Sequence, residues 1–181
     1  MFARTARLTL RPAWPEDAPT LAQAIGHEAV ARMLMRVPYP YAVADAQTFA
    51  DQPRGAHEPR FLILSHDAPT PVLVGGIGIS DYEGEPSLGY WLTPAAWGRG
   101  YATEAGRAVV DMARYALPIR RLQAWHFADN PASGKVLAKL GFRPTGATPM
   151  HASVARRAPA AAVGYALDLA EDDRPAMRFA A

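Results

Sequence analysis

The stretch WGRGYATEA, residues 97–105, sets two glycines two apart and then passes at once into residues that favour a helix. That arrangement suits an anion. A helix N-terminus presents unpaired N–H groups and a partial positive charge, and glycine removes the side chains that would hold a ligand away from the backbone. Phosphate fits such a place. Glycines there also serve as a plain turn, and on the motif alone both readings stand. Two familiar phosphate loops fail the comparison. A Walker loop ends in Gly-Lys-Ser/Thr, whereas Gly100 is followed by Tyr101, Ala102 and Thr103. A dinucleotide fingerprint wants a small residue where Thr103 stands and an acid roughly 20 residues on, and Asp129 comes too late. A nicotinamide enzyme is a poor second. The other chemistry-bearing stretch is NPASGKVLAKLGF, residues 130–142, where Asn130 reads as an N-cap and Ser133 as a first-turn hydroxyl.

These residues need a scaffold, and the pattern around them supplies one. RLTLRP (7–12) alternates as a strand, and PEDAPTLAQAIG (15–26) reads as a helix with acids at its start. VPYPY (37–41) is extended or turning, and AVADAQTFADQ after it is helical. RFLILS and PVLVGGIGIS, joined by HDAPT, predict a hairpin, and PSLGYWLT (86–93) a further strand. Apolar residues at helical spacing run from Tyr101 to Leu117, where Pro118 ends the helix. RLQAWHF is the next strand. The helix beginning at Pro131 stops at Gly141, and AAAVGYALDL (160–169) closes the order as a strand. The run from SLGYWL to LQAWHF is thus a βαβ unit with its glycines at the carboxyl end of the first strand.

The chain has 181 residues, 50% hydrophobic and 20% charged, which suits one domain over residues 1–181 with a core at about 7–169 and a polar tail at 170–181. With no cysteine it has no disulfide, thiolate site or cysteine nucleophile. No stretch has signal-peptide or membrane-spanning character, so a soluble, cytoplasmic protein is expected. A net charge of +2 gives little support for nucleic-acid binding.

GYWLTPAAWGRGYATEA, followed by ADNPASGKVLAKLGF, resembles the GNAT superfamily of acyl-CoA N-acyltransferases, and within it the RimJ/RimL-like branch of ribosomal-protein N-terminal acetyltransferases. RLTLRPAWPEDAPTL is similar to the opening strand and helix of that branch, and PYPYAVADAQTFAD to its proline-tyrosine segment. The resemblance implies an α/β GNAT fold, a mixed and mostly antiparallel sheet with splayed parallel central strands, flanked by helices. It implies acetyl-CoA as co-substrate and an amine acceptor that is a small molecule or a protein N-terminus; no metal and no membrane are expected. A homodimer is left open.

Residue by residue, the resemblance puts the coenzyme A pyrophosphate on the backbone of Trp97, Gly98, Arg99, Gly100, Tyr101, Ala102 and Thr103. The Trp97 ring packs beside the cofactor or stays an ordinary aromatic, and Arg99 adds charge to a phosphate or faces water. The pantetheine arm is expected to pair with main-chain groups of Trp91, Leu92 and Thr93 where the parallel strands splay. Gly89 is expected to mark a bulge whose freed N–H faces the thioester oxygen, or simply to relieve crowding. Asn130 and Ser133 match the branch's N-x-x-S, Asn130 near the pantetheine and Ser133 near the sulfur as the acid for the leaving thiolate. Acetyl transfer also gains from a base. Glu83, Glu85 and His126 are the candidates, Glu85 the one chosen, each with an ordinary role as alternative. Tyr165 is assigned to packing, and Lys135 with Lys139 to a solvated face or to the 3′-phosphate. The acceptor side is expected from VPYPYAVADA, the turn in the 80s and GATPMHASVARRAP. The alternative function is a GNAT-fold module that binds acyl-CoA without transferring it.

Overall fold

A computed structural model describes residues 1–53, 55 and 57–170. Of the expected tail, residues 171–181 lie outside the described residues. The chain opens with two short strands, β1 (Ala3–Arg4) and β2 (Leu8–Arg11), then helices α1 (Ala18–Ile25), α2 (Glu28–Ala31) and α3 (Val43–Asp51). Three long strands follow, β3 (Arg60–Ser65), β4 (Val72–Tyr82) and β5 (Glu85–Leu92). Then come α4 (Tyr101–Ala116), β6 (Arg121–Phe127) and α5 (Pro131–Lys139), and last β7 (Arg143–Pro144), β8 (Met150–His151) and β9 (Ala160–Asp168).

The sheet runs β1-β2-β3-β4-β5-β6-β9-β7, with β8 beside β9. Its pairings are antiparallel except β5 with β6, the pair joined by α4. Helices cover both faces. Leu88, Ile77, Ile79 and Leu122 pack one face against Val109, Ala113 and Leu137 of α4 and α5, while Leu62 packs the other against Leu21, Ile25 and Ala46 of α1 and α3. Burying a side chain such as Val109 or Leu137 contributes about 1.5–3 kcal/mol. Small residues on α4 let it lie close, and at Gly106 an added Cβ would stand 2.5 Å from Leu140 Cδ1. α4 ends where Leu117 turns extended before Pro118. α5 stops at Gly141, whose φ of +89° is open chiefly to glycine. The strands and longer helices fall where the periodicity put them. The short α2, β1, β7 and β8 carry too few residues to show a period.

Three carboxylates are tied to arginines across this frame. Asp17 is held below the usual range by a bidentate bond from Arg11, at 2.6 Å on each oxygen, which outweighs burial. Glu104 is pushed up by burial, but bonds from Thr5 and Arg7 prevail and lower it. Asp129 is lowered mainly by its bond from Arg156. A lowered folded pKa stabilises above the unfolded value of about 4 and is lost as pH falls through the folded one. The urea midpoint is therefore expected to hold from pH 7 to about 5 and to drop between about pH 4 and 2; a flat profile would show that these pairs contribute nothing.

Candidate active site

β5 ends at Leu92, a tight turn at Pro94–Ala96 follows, and residues 97–100 lie exposed before α4 begins. Gly98 and Gly100 have φ of +74° and +81°, a backbone region that side chains rarely enter. An added Cβ at Gly98 would meet nothing within 4 Å, and at Gly100 only Arg7 Nη2 at 3.6 Å. Among the described residues no side chain caps this end of α4, so its first N–H groups face an open mouth with the positive end of the helix behind them. Trp97 is 51% exposed, its indole pinned by a 2.9 Å bond from Nε1 to the Leu92 carbonyl. The Arg99 carbonyl accepts from Arg7 Nη2. The side chains of Tyr101 and Ala102 turn into the core, where the Tyr101 hydroxyl bonds Asp67 and Ser65, so these two residues offer the mouth only their backbone. Thr103 is half-buried.

The sequence did not disclose what braces this mouth. Glu104, in the first turn, accepts from Thr5 Oγ1 at 2.6 Å, from the Arg7 N–H and Nε at 2.9 Å, and pairs with Arg7 Nη2 at 2.7 Å. An acid at this place would repel an anion, and the guanidinium neutralises it. The signal present in the sequence was the first-turn acid itself; its partner stands 97 residues away.

Beyond the mouth, β5 and β6 part. Their parallel ladder is a single pair, Ser87 with Gln123. Hydrogen-bonded and outward-facing positions alternate along an antiparallel strand, and the Thr93 N–H bonds the Val74 carbonyl at 2.9 Å. The main-chain groups of Thr93, Trp91 and Gly89 therefore face β4, and those of Leu88, Tyr90 and Leu92 face the gap. Of the residues expected to pair with the pantetheine arm, Leu92 thus turns its main-chain groups to the gap, as Tyr90 does, whereas those of Trp91 and Thr93 are turned to β4. With the Leu92 carbonyl held by Trp97, the open groups are the Tyr90 N–H and C=O and the Leu92 N–H. Trp91 instead lays its indole over Gly76, where an added Cβ would come within 2.6 Å of Nε1. The bulge expected at Gly89 is corrected. The β4–β5 register is unbroken from Tyr82–Glu85 to Gly75–Leu92, and the irregularity lies between Ile63 and Leu64 on β3. Divergence of β5 from β6 makes the gap without an extra residue. Gly89 is exposed, and a Cβ on it would meet nothing within 4 Å.

At the start of α5, Asn130 caps the helix by accepting from the Ser133 N–H at 3.3 Å. Ser133 Oγ lies 2.7 Å from the hydroxyl of Tyr90, which also donates to the Ser133 carbonyl at 3.0 Å. Burial pushes the Tyr90 phenol up to about 12, with the Ser133 bond opposing and Tyr165 adding. Tyr90 is a candidate site residue the sequence reading missed; its even position in β5, opposite in face to Gly89 and Trp91, was the available signal. His126 donates from Nδ1 to the Phe127 carbonyl at 2.8 Å. Its Nε2 and the Tyr165 hydroxyl crowd Gly134, where a Cβ would sit 2.7 and 3.0 Å from them. Glu85 is not brought to this pair. It is exposed at the β4–β5 turn opposite Tyr82, four residues and about 13 Å along the strand from Gly89. Glu83 is in the turn itself, with φ of +55°. Lys135 and Lys139 lie exposed on the outer side of α5.

The opposite face of the sheet carries a pocket of about 420 Å³ lined by Tyr82, Glu83, Trp125 and residues 147–152. The segment that closes it is docked on the loop after α2. Ser153 Oγ donates to the Leu34 carbonyl at 2.7 Å, the Val154 N–H to Met35 at 3.0 Å, and Arg156 Nε to Arg32 at 2.6 Å. Two of the three segments expected to shape the acceptor side thus meet at this pocket.

A sequence model of the family described as "Acetyltransferase (GNAT) domain" matches residues 7–143. Among curated proteins, the uncharacterized N-acetyltransferase YoaA of Bacillus subtilis is 30% identical over 148 residues, 78% of this chain and 82% of that protein. Among solved structures, a GNAT-family acetyltransferase from Bacillus anthracis superposes with a TM-score of 0.78 at 23% identity, covering 93% of this chain and 99% of that one. Mycobacterium smegmatis RimJ, solved in complex with CoA-disulfide, does so with 0.76 at 21%, covering 93% and 85%. A family match over most of the chain, on a sheet whose parallel pair parts beside a glycine-lined helix mouth, gives one answer: the chain belongs to the GNAT family of acetyltransferases and is an N-acetyltransferase of that type.

Proposed function

We propose that the protein transfers the acetyl group of acetyl-CoA to a primary amine by direct attack. The observation that carries this reading is the uncapped mouth of α4, with two positive-φ glycines whose missing Cβ atoms leave room for a diphosphate. The backbone of residues 97–103 would hold that diphosphate, and the pantetheine arm would lie in the gap against the open main-chain groups of Tyr90 and Leu92. The amine nitrogen attacks the thioester carbonyl, a C–N bond forms, and the C–S bond breaks from the tetrahedral intermediate. The leaving thiolate takes a proton from the Ser133 hydroxyl, which is hydrogen-bonded to Tyr90, while the proton shed by the attacking nitrogen passes to solvent and a solvent proton restores Ser133, so the products are the amide and the free thiol. A thiol with pKa near 8.5 leaves readily, so this acid adds a modest factor. The attacking amine must be neutral. For an α-amino group near pKa 8 that is cheap at neutral pH, and for a lysine near 10.4 it costs about two further units. A protein N-terminus, the acceptor kind of the RimJ/RimL branch, fits a site where Glu85 stands away from the reaction.

Free thiol followed during incubation of the protein with acetyl-CoA and a panel of N-terminal peptides, polyamines, aminoglycosides and amino acids tests this. Amine-stimulated release is expected. Saturating coenzyme A should raise Tm, since ligand at a hundred times Kd stabilises by about 2.7 kcal/mol, and NAD(P) should not. Binding without amine-stimulated release would leave a module that only holds acyl-CoA.

A further inference from the structure

The pocket on the face away from α4 contains two ring nitrogens with nothing to bond. Trp125 Nε1 and His151 Nε2 are both buried without a hydrogen-bond partner among the described residues, and both residues line the pocket. Buried polar atoms in folded proteins are otherwise nearly always paired. The two rings lie together, with centroids 5.0 Å apart, and the Tyr82 ring lies 5.6 Å from that of His151. The Tyr82 hydroxyl occupies His151 Nδ1 at 2.8 Å, so Nε2 is the uncommitted atom of that ring, and it donates whenever Tyr82 donates to Nδ1. An indole N–H can only donate, so whatever satisfies Trp125 must bring an acceptor.

The pocket also stands in the right place. Gln123 pairs with Ser87, and two residues further along each strand, where β5 and β6 part, come Trp125 and Gly89. Gly89 leaves the sheet open at that level. Glu83 is at the rim, suited to a cationic amine on its way in, and Arg36 lies close enough to Tyr82 to act on its ionisation.

We infer that Trp125 and His151 recognise the acceptor by an sp² oxygen next to its amine, so the enzyme selects amines bearing a neighbouring carbonyl or carboxylate over plain alkylamines and polyamines. The inference rests on the acetyl-transfer reading for the direction of the amine, but the binding it asserts is separate from turnover. An amino-acid carboxylate and the first carbonyl of a peptide or amide share this chemistry.

The test uses the full chain with coenzyme A present, titrated with alanine, alaninamide, an alanine-led tripeptide, n-butylamine and spermidine, while the Trp125 indole ¹H–¹⁵N signal is followed. That signal is assigned by its disappearance in Trp125→Phe or, if that variant does not fold, by sequential assignment of the native protein. Oxygen-bearing amines should move it downfield, and n-butylamine and spermidine should not. The carboxylate source is favoured if alanine binds best, the carbonyl source if alaninamide and the tripeptide do. In thiol release, Trp125→Phe should raise KM for the preferred acceptor about tenfold, the worth of one hydrogen bond, with KM for acetyl-CoA unchanged. A signal that none of the amines moves, or that n-butylamine moves equally, overturns the inference. Absence of thiol release while alaninamide still moves the signal would overturn the acetyl-transfer reading instead.

Discussion

Gly100→Asp is expected to weaken coenzyme A binding at least a hundredfold while the protein stays folded. Its Cβ would project into the open mouth of α4, where the nearest atom is Arg7 Nη2 at 3.6 Å. A carboxylate there faces the diphosphate. Two like charges about 4 Å apart repel by about 4 kcal/mol in a surface environment, and even after screening this exceeds the roughly 2.7 kcal/mol that a hundredfold loss requires. The new acid would also compete for Arg7, which now holds the Arg99 carbonyl and Glu104. Gly100 has φ of +81°, so any side chain adds strain of about 1 kcal/mol. Gly100→Ala carries that strain without the charge and should lose affinity much less. Calorimetric titration of both variants separates the two causes. Unchanged affinity in Gly100→Asp would remove the mouth from the binding site.

Tyr90→Phe is expected to lower kcat by about tenfold to a hundredfold with little change in KM for acetyl-CoA, the usual lower range for loss of an acid or its support. The phenol bonds both the hydroxyl and the carbonyl of Ser133, so its loss leaves the Ser133 hydroxyl unheld and lets the first turn of α5 shift. Ser133→Ala should cost about tenfold or less, because the thiolate leaves readily without help. If the two act as a unit, the double variant will be no slower than Tyr90→Phe. The pH profile carries a second reading. Burial has raised Tyr90 to about 12, so the proton-bearing form persists to high pH and is lost only as pH rises through that value. The rate should climb with the neutral fraction of the acceptor amine and show no alkaline decline from Tyr90 below about pH 11. An alkaline limb near pH 9 that vanishes in Tyr90→Phe would contradict this.

Much of this was legible in the sequence, for a local reason. Gly98, Gly100, Asn130, Pro131 and Gly141 act through the backbone within a few residues of themselves, so their types announce what they do. The order of strands and helices also follows from short-range periodicity. What stayed hidden depends on register or distant partners. Which of Tyr90, Trp91, Leu92 and Thr93 turns its main chain to the gap is decided by the bond from Thr93 to Val74, which no local pattern encodes. A glycine inside a strand reads equally as a bulge or as open space, and Gly89 is open space. Tyr90 finds Ser133 from 43 residues away, and Tyr82 finds His151 from 69. Glu85 drew notice as an acid near the splayed strand, but strand rise carries it about 13 Å from Gly89.

The tie between Arg7 and Glu104 also shapes how this sequence can change over generations. Arg7 lost alone strands the Glu104 carboxylate at the edge of the helix mouth, where it would repel an anion, whereas Arg7 without Glu104 keeps Asp67 at 3.8 Å. Descendant sequences should therefore shed Arg7 only where Glu104 goes too, so that a position in the opening ribbon and one in the central helix drift as a couple although 97 positions separate them.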